Sequence, residues 1–235
     1  MSDHTISIMV DSGSRPDLLE RTVTSLLQNL TFFNGRIIWM YHEAVLRSED
    51  SEKCLKFIHD TQVFDVIEST KNPKGQGVNI TKMLKLCQSP YFIHWEDDML
   101  ALRPLNIARV YHIFEHASDV NQIAFNRRDT MDEVSGWKKI EVERAGTKLT
   151  TSPHWRYTPA MWRMSWIMPR WKCFEGNNSH WVMNDHLRNL PDEGRENPTK
   201  VAAWVMRHMG TYYLGGIGER AYCTHIGAGR SGRQE

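Results

Sequence analysis

Three consecutive acids, Glu96-Asp97-Asp98, close the apolar run Tyr91-Phe92-Ile93-His94-Trp95. A run of that length, preceded by the turn signal Ser89-Pro90, predicts a buried strand of a parallel sheet. In open α/β sheets, ligands sit just beyond the carboxyl ends of the strands. Three carboxylates at that point repel one another unless a cation lies between them, and a hard divalent metal that also grips phosphate oxygens suits the position. The alternative is a solvated acidic loop, the usual fate of a short charge run. The strand in front of the acids favours the functional reading.

Two further groups carry chemistry-bearing residue types. Between His154 and Lys172, Trp155, Trp162, Trp166 and Trp171 interleave with Arg156, Arg163, Arg170 and Lys172. Tryptophans stack on sugar rings and on bases, and arginines pair with phosphate, so part of this stretch is expected to form an acceptor platform. An aromatic core element with basic edges is the competing reading for at least half of it. His112 and His116 have metal-ligand spacing, but no glutamate follows His112 and the residues between are apolar. They are expected on a helix face. Ser12-Gly13-Ser14-Arg15 has too few glycines to cradle phosphate as a sugar nucleotidyltransferase loop would.

The elements that must position these residues alternate in the first half. Thr5 to Asp11 reads as a strand. A helix follows with Pro16 in its first turn, Asp17 and Glu20 near its positive end, and a stripe of Leu18, Leu19, Val23, Leu26, Leu27 and Leu30. Arg36 to Tyr41 is a strand, Glu52 to His59 a helix and Phe64 to Ile67 a short strand. Lys71 to Gly77 is a loop and Val78 to Leu86 a helix, leading into the acidic strand. This β-α-β-α-β-α-β order implies a parallel sheet with right-handed crossovers. The second half is less regular. Leu105 to Ala117 reads as a helix, Ile123 to Asn126 as a strand, and 127 to about 151 as hairpins or a mobile loop. Trp181 to Leu190 and Lys200 to His208 look helical, and Thr211 to Leu214 and Ala221 to His225 look like strands ahead of a Gly/Arg-rich tail.

At 235 residues the chain has room for one large α/β domain. Lysines and arginines number 29 and acids 28, a balance that leaves no global field to mark a nucleic-acid or membrane protein. No apolar stretch approaches the eighteen or so residues of a membrane span. Met1-Ser2-Asp3-His4 lacks the features of a signal peptide, and Cys54, Cys87, Cys173 and Cys223 are scattered without a C-x-x-C pair. Both features lead to the expectation of a cytoplasmic protein with reduced thiols.

Four segments, in order, resemble GT-A-fold glycosyltransferases, nearest the family 2 type. They are the opening strand with Ser12 to Leu19, the Asn72 to Asn79 loop and helix start, Glu96-Asp97-Asp98 in place of the D-x-D motif, and Asn184-Asp185 in a predicted helix. The resemblance covers roughly residues 5 to 230, and the first hundred match best. It implies an α/β GT-A (Rossmann-like) fold with a mostly parallel central sheet flanked by helices. The whole of 1–235 would be a single domain, with 1–103 as its nucleotide-sugar half and 104–235 as its acceptor and catalytic half.

The activity implied is transfer of a sugar from a nucleotide-sugar donor, a UDP-sugar, to an acceptor hydroxyl with inversion. The cofactor implied is Mn2+ or Mg2+. Asp98 would ligate the metal, with His225 in Cys223-Thr224-His225-Ile226-Gly227 as a further ligand or else a structural histidine. Asp11, Ser12 and Arg15 would lie at the nucleoside, although Arg15 could equally cap the helix or pair with a nearby acid. Glu43 would stand in for the aspartate that grips the base. Glu96 and Asp97 would position the donor's ribose, its sugar or metal-bound water. Lys74 and Gln76 could touch the donor, and Arg230 of the tail could fold over the diphosphate. Asp185 would be the general base unless it caps its helix or pairs with Arg188. Trp155, Arg156, Trp162 and Trp181 would bind an acceptor, a glycan or a modified DNA base. A sugar nucleotidyltransferase and a non-catalytic glycan- or nucleic-acid-binding module are the alternatives, and retention of all three acids argues against the latter.

Overall fold

The computed structural model describes residues 4–31, 34–71, 75–125, 139–152, 155–156, 159–171 and 210–227. β1 (Thr5–Ser12) is buried along nearly its whole length. Its alternate residues feed two cores: Ile6, Ile8 and Val10 pack on one side of the sheet and Met9 on the other. That two-sided burial is why the strand reads as a continuous apolar run rather than an alternating one. α1 (Pro16–Asn29) starts at Pro16 with Asp17 in its first turn, and buries Leu19, Val23 and Leu26. β2 (Leu30–Thr31) is short. β3 (Arg36–Val45) runs four residues further than the sequence pattern suggests, because His42, Glu43 and Ala44 continue it as buried residues and Val45 ends it half-buried. α2 (Ser48–Thr61) and β4 (Val66–Lys71) follow, then α3 (Gln76–Leu86) and β5 (Tyr91–Glu96).

The remainder comprises β6 (Met99–Ala101), β7 (Leu105–Asn106), α4 (Ile107–His116), β8 (Gln122–Ala124), β9 (Glu141–Arg144), β10 (Thr147–Thr151), β11 (Ala160–Arg163), α5 (Met164–Trp171), β12 (Thr211–Leu214) and β13 (Cys223–His225). β9 and β10 form the hairpin expected before residue 151, turning through Ala145 and Gly146, both at positive φ. β11 and α5 have no counterpart among the expected elements: the alternation Trp162-Arg163-Met164-Ser165-Trp166 runs across the strand–helix junction, and Pro169 lies inside the helix.

Among the described residues, nine strands form the central sheet in the order β4-β3-β1-β5-β11-β8-β12-β10-β9. The pairings β4-β3, β3-β1 and β1-β5 are parallel. β11 then joins β5 antiparallel, and in the far half only β12 and β8 pair in parallel. From β1 the chain first steps outward to β3 and β4, then returns to place β5 on the opposite side of β1. The strand order reverses between β1 and β5, the point at which open α/β sheets form their ligand crevice. A separate antiparallel pair, β13 with β6, sets His225 opposite Met99 and so carries the C-terminal strand to the acidic turn.

Trp155, Trp162 and Trp171 pack into the core under α3. Trp155 and Trp162 are 1% and 0% exposed and pack with Met9, Phe92, Ile80 and Met83. Trp155 stacks on Trp166 at 4.9 Å, and Trp171 Nε1 donates to Thr81 Oγ1 at 2.7 Å. Arg156 is likewise buried; its guanidinium donates to the Tyr213 hydroxyl, and its backbone N–H donates to Gln122 Oε1 at 2.8 Å. The expected acceptor platform is therefore corrected for Trp155, Arg156 and Trp162. Burying the large aromatic faces against the sheet outweighs leaving them in water. His112 and His116 lie exposed on α4, with ring centroids 4.0 Å apart, as a helix face. Among the described residues, no helix is long and apolar enough to cross a membrane.

Candidate functional site

A cavity of about 180 Å³ opens at the carboxyl ends of β1, β3 and β5. Asp11, Ser12, Gly13 and Arg15 line it from β1 and its turn, Ala44 and Leu46 from the end of β3, Gly75, Gln76 and Asn79 from the start of α3, and Glu96 and Asp97 from β5. Strand register makes this convergence: Asp11 sits beside His42 on one side and Glu96 on the other. α3 aims its N-terminus at the cavity, and its cap residue Gly75 has φ 128°, a conformation that favours glycine. Free N–H groups and the positive end of the helix dipole favour an anion there.

The acidic turn is pinned on several sides. Asp97 N–H donates to the Asp11 carbonyl at 2.9 Å, and Ile226 N–H to the Asp98 carbonyl at 2.8 Å. Thr22 Oγ1 of α1 donates to the Asp97 carbonyl at 2.8 Å, and Trp95 Nε1 to the Met99 carbonyl at 2.7 Å. The carboxylates are thus held in place, and their charge is met by Arg15. Its Nε donates to Asp97 Oδ2 at 3.1 Å, its Nη2 to Asp97 Oδ1, and its Nη1 to Asp98 Oδ2 at 2.6 Å. Gly13 N–H also donates to Asp97 Oδ2, at 3.0 Å. Of the readings open for Arg15, pairing with a nearby acid is the one the structure realises; the residue is the N-cap of α1 but makes no side-chain cap bond.

His225 Nε2 lies 3.2 Å from Asp98 Oδ2, the same oxygen that Arg15 contacts. A side chain at Gly227 would meet that oxygen at 2.8 Å, so only glycine leaves the approach clear. A carboxylate oxygen beside an imidazole nitrogen is a donor set that fits manganese better than magnesium, which takes oxygen ligands. Asp98 and His225 would hold such an ion once the guanidinium withdrew. Among the described residues no group of three or more His, Cys, Asp or Glu side chains is poised for metal.

Glu96 accepts from Gln76 Nε2 at 2.9 Å. Burial pushes its carboxyl up to about 7; Asp98, Asp11 and Asp97 add to the rise and the Gln76 bond opposes it. Burial also raises Asp97, against the opposing effects of Arg15 and Gly13, whereas for Arg15 the pull of Asp97 and Asp98 exceeds the loss of solvation and its pKa rises. The two directions disagree about the pair: the arginine gains from it and the buried carboxylate does not. Asp97, at 1% exposure, bears the larger desolvation cost, so the ion pair is not a deep energetic well.

Glu43 is corrected. It is 0% exposed and its carboxyl is spent on the protein: Ser14 N–H at 2.9 Å, Ser51 Oγ at 2.8 Å, Ser14 Oγ at 3.3 Å and the Tyr41 hydroxyl. Ser14 stands at φ 57°, and Glu43 holds that turn between β1 and α1. It builds the wall of the site and does not face the cavity. The pattern also passed over His42, whose Nδ1 meets Asp11 Oδ1 at 3.2 Å and whose Nε2 meets Thr70 Oγ1 at 2.9 Å, fixing the aspartate behind the cavity. Asn79 was passed over too: it is 3% exposed, lines the cavity, and its Oδ1 has no hydrogen-bond partner among the described residues. A polar residue opening a helix next to a glycine-rich loop was the available signal. Lys74, Trp181, Asp185 and Arg230 lie outside the described residues.

No protein-family model matches the sequence, nor does any curated protein. Solved structures do match. The mannosyltransferase PcManGT from Pyrobaculum calidifontis, in complex with GDP-Man and Mn2+, superimposes with a TM-score of 0.53 at 10% identity over 92% of this chain and 58% of that one. S. aureus TarS (1-349) gives 0.57 at 10% identity over 93% and 59%, and its complex with UDP-GlcNAc 0.53 at 11% over 96% and 61%. The chain thus spans about three fifths of the length of those structures. The likeness shows the fold: a mixed α/β architecture with a large central sheet, shared with these structures.

Proposed function

We propose that the chain transfers a sugar from a nucleotide-sugar donor to an acceptor hydroxyl, with dependence on a divalent cation and inversion at the sugar carbon. One observation carries the reading: the cavity lies at the reversal of strand order between β1 and β5, with the acidic turn and His225 at its side. The neighbours' GDP-Man and UDP-GlcNAc complexes support the same class of donor.

In this reading Asp11, steadied by His42, and Ser12 hold the nucleoside. Gln76, Glu96 and the open acceptor oxygen of Asn79 meet hydroxyls of the ribose or sugar. The N-terminus of α3 meets the diphosphate, and the sequence assigns Lys74 to the donor and Arg230 to the diphosphate. Asp98 and His225 would hold the cation, which would supply neutralisation of charge on the departing nucleoside diphosphate. Asp185 accepts the proton of the acceptor hydroxyl as its oxygen bonds to the anomeric carbon and the bond from that carbon to the diphosphate breaks. The acceptor is a glycan or a modified DNA base, and Trp181 is the acceptor-side aromatic left from the sequence reading.

The test is release of nucleoside diphosphate from a panel that includes UDP-GlcNAc and GDP-mannose, with Mn2+, using wild type, Asp98→Asn and Asp185→Asn. Turnover of at least one donor is expected, lost in both variants, with donor binding kept in Asp185→Asn. Full transfer by both variants, or no turnover and no binding of any donor, would overturn the proposal.

A further inference from the structure

We propose that Arg15 is a resident cation of the metal position, which the divalent ion must displace and which then clamps the donor's diphosphate. This rests on the donor-site reading above. The guanidinium bridges both acids, and Asp98 Oδ2 is shared by Arg15 Nη1 at 2.6 Å and His225 Nε2 at 3.2 Å. A divalent ion on Asp98 and His225 would have to share that oxygen with a guanidinium of like charge. The two occupants exclude each other.

The surroundings suit an exchange. Arg15 is the outer member of the cluster, 23% exposed where the acids are 1% and 4%. Its departure orphans neither acid, because Asp97 keeps the Gly13 N–H at 3.0 Å and Asp98 gains the incoming ion. The side chain lines the cavity, so a freed guanidinium stays within reach of a ligand there, and its planar fork suits phosphate oxygens. It follows that metal alone binds weakly, since it evicts Arg15 without giving it a new anion. Metal and nucleoside diphosphate bind with positive coupling, since the diphosphate supplies that anion.

The experiment is a calorimetric titration of the intact chain with MnCl2 alone, and again with saturating UDP or GDP, for wild type, Arg15→Gln and Arg15→Lys. Thermal melts check that each variant is folded. Arg15→Gln should bind Mn2+ alone about tenfold or more tightly than wild type, and most of the enhancement by nucleotide should disappear. Arg15→Lys retains the charge without the fork and should fall between them. Unchanged or weaker Mn2+ binding in folded Arg15→Gln, or no Mn2+ binding by any form, overturns the exchange. The two readings fail separately. Tighter Mn2+ binding without turnover of any donor would sink the transferase and keep the exchange. Intact turnover with unchanged Mn2+ affinity would sink the exchange alone.

Discussion

Glu43 offers a sharp test of how the site is built, because a wall residue and a ligand residue respond oppositely to the same change. Glu43→Gln preserves shape but removes the charge that strengthens the bonds from Ser14 N–H and Ser51 Oγ, and converts one oxygen into a donor facing its partners. Hydrogen bonds to charged groups contribute about 1.5–3 kcal/mol and neutral ones about 0.5–1.5. Weakening three contacts by about 1 kcal/mol each gives a loss of about 3 kcal/mol. For a chain of 235 residues that is a fall in melting temperature of roughly 6–12 °C. Urea unfolding followed by tryptophan fluorescence reads the stability change, and nucleotide titration of the folded variant reads the site. A large loss of stability with nucleotide affinity changed by less than about tenfold is expected. Unaltered stability together with a larger loss of nucleotide affinity would refute the assignment and return Glu43 to the ligand.

Other consequences follow from the same geometry. Trp162→Ala should cost about 3–5 kcal/mol in unfolding free energy, as a fully buried aromatic would, and a variant of normal stability with weakened acceptor binding would restore the platform reading. Gly227→Ala should abolish Mn2+ binding with little change in melting temperature, because the new methyl group meets Asp98 Oδ2 and the His225 ring. Glu96, raised to about 7 from an ordinary 4.5, holds its proton longer folded than unfolded, so folding takes up a proton across that window. Wild-type stability should therefore fall as pH rises from about 4.5 to 7, and Glu96→Gln should flatten that limb of the profile; an unchanged slope would count against the burial of this acid.

Much of the first half of the chain was legible. Strands buried on both faces and a leucine stripe leave strong one-dimensional signals, so β1, α1, β5 and the acidic turn lie near their expected bounds. Arg15 pairing with an acid was among the open readings, but its span across both Asp97 and Asp98 depends on the Ser14 turn, which no local pattern encodes. Glu43, Trp155 and Trp162 were misjudged for a common reason: residue type is the same whether a side chain faces a ligand or the core, and burial is decided by strands far away in sequence. For Trp162 the deciding neighbour is Phe92, with ring centroids 5.7 Å apart. The approach of His225 to Asp98 was anticipated by resemblance alone; its physical cause is the pairing of β13 with β6, a contact between distant segments.

Binding of a nucleoside diphosphate to the cavity between β1 and β5 is most directly read by calorimetric titration of UDP and GDP into wild type and Asp98→Asn, each with Mn2+ and with EDTA. Saturable binding of at least one of them by wild type with Mn2+ is expected, falling by tenfold or more, about 1.4 kcal/mol, both on chelation and in Asp98→Asn. Absence of binding by either nucleotide, or binding indifferent to both chelation and the loss of the Asp98 charge, would contradict it.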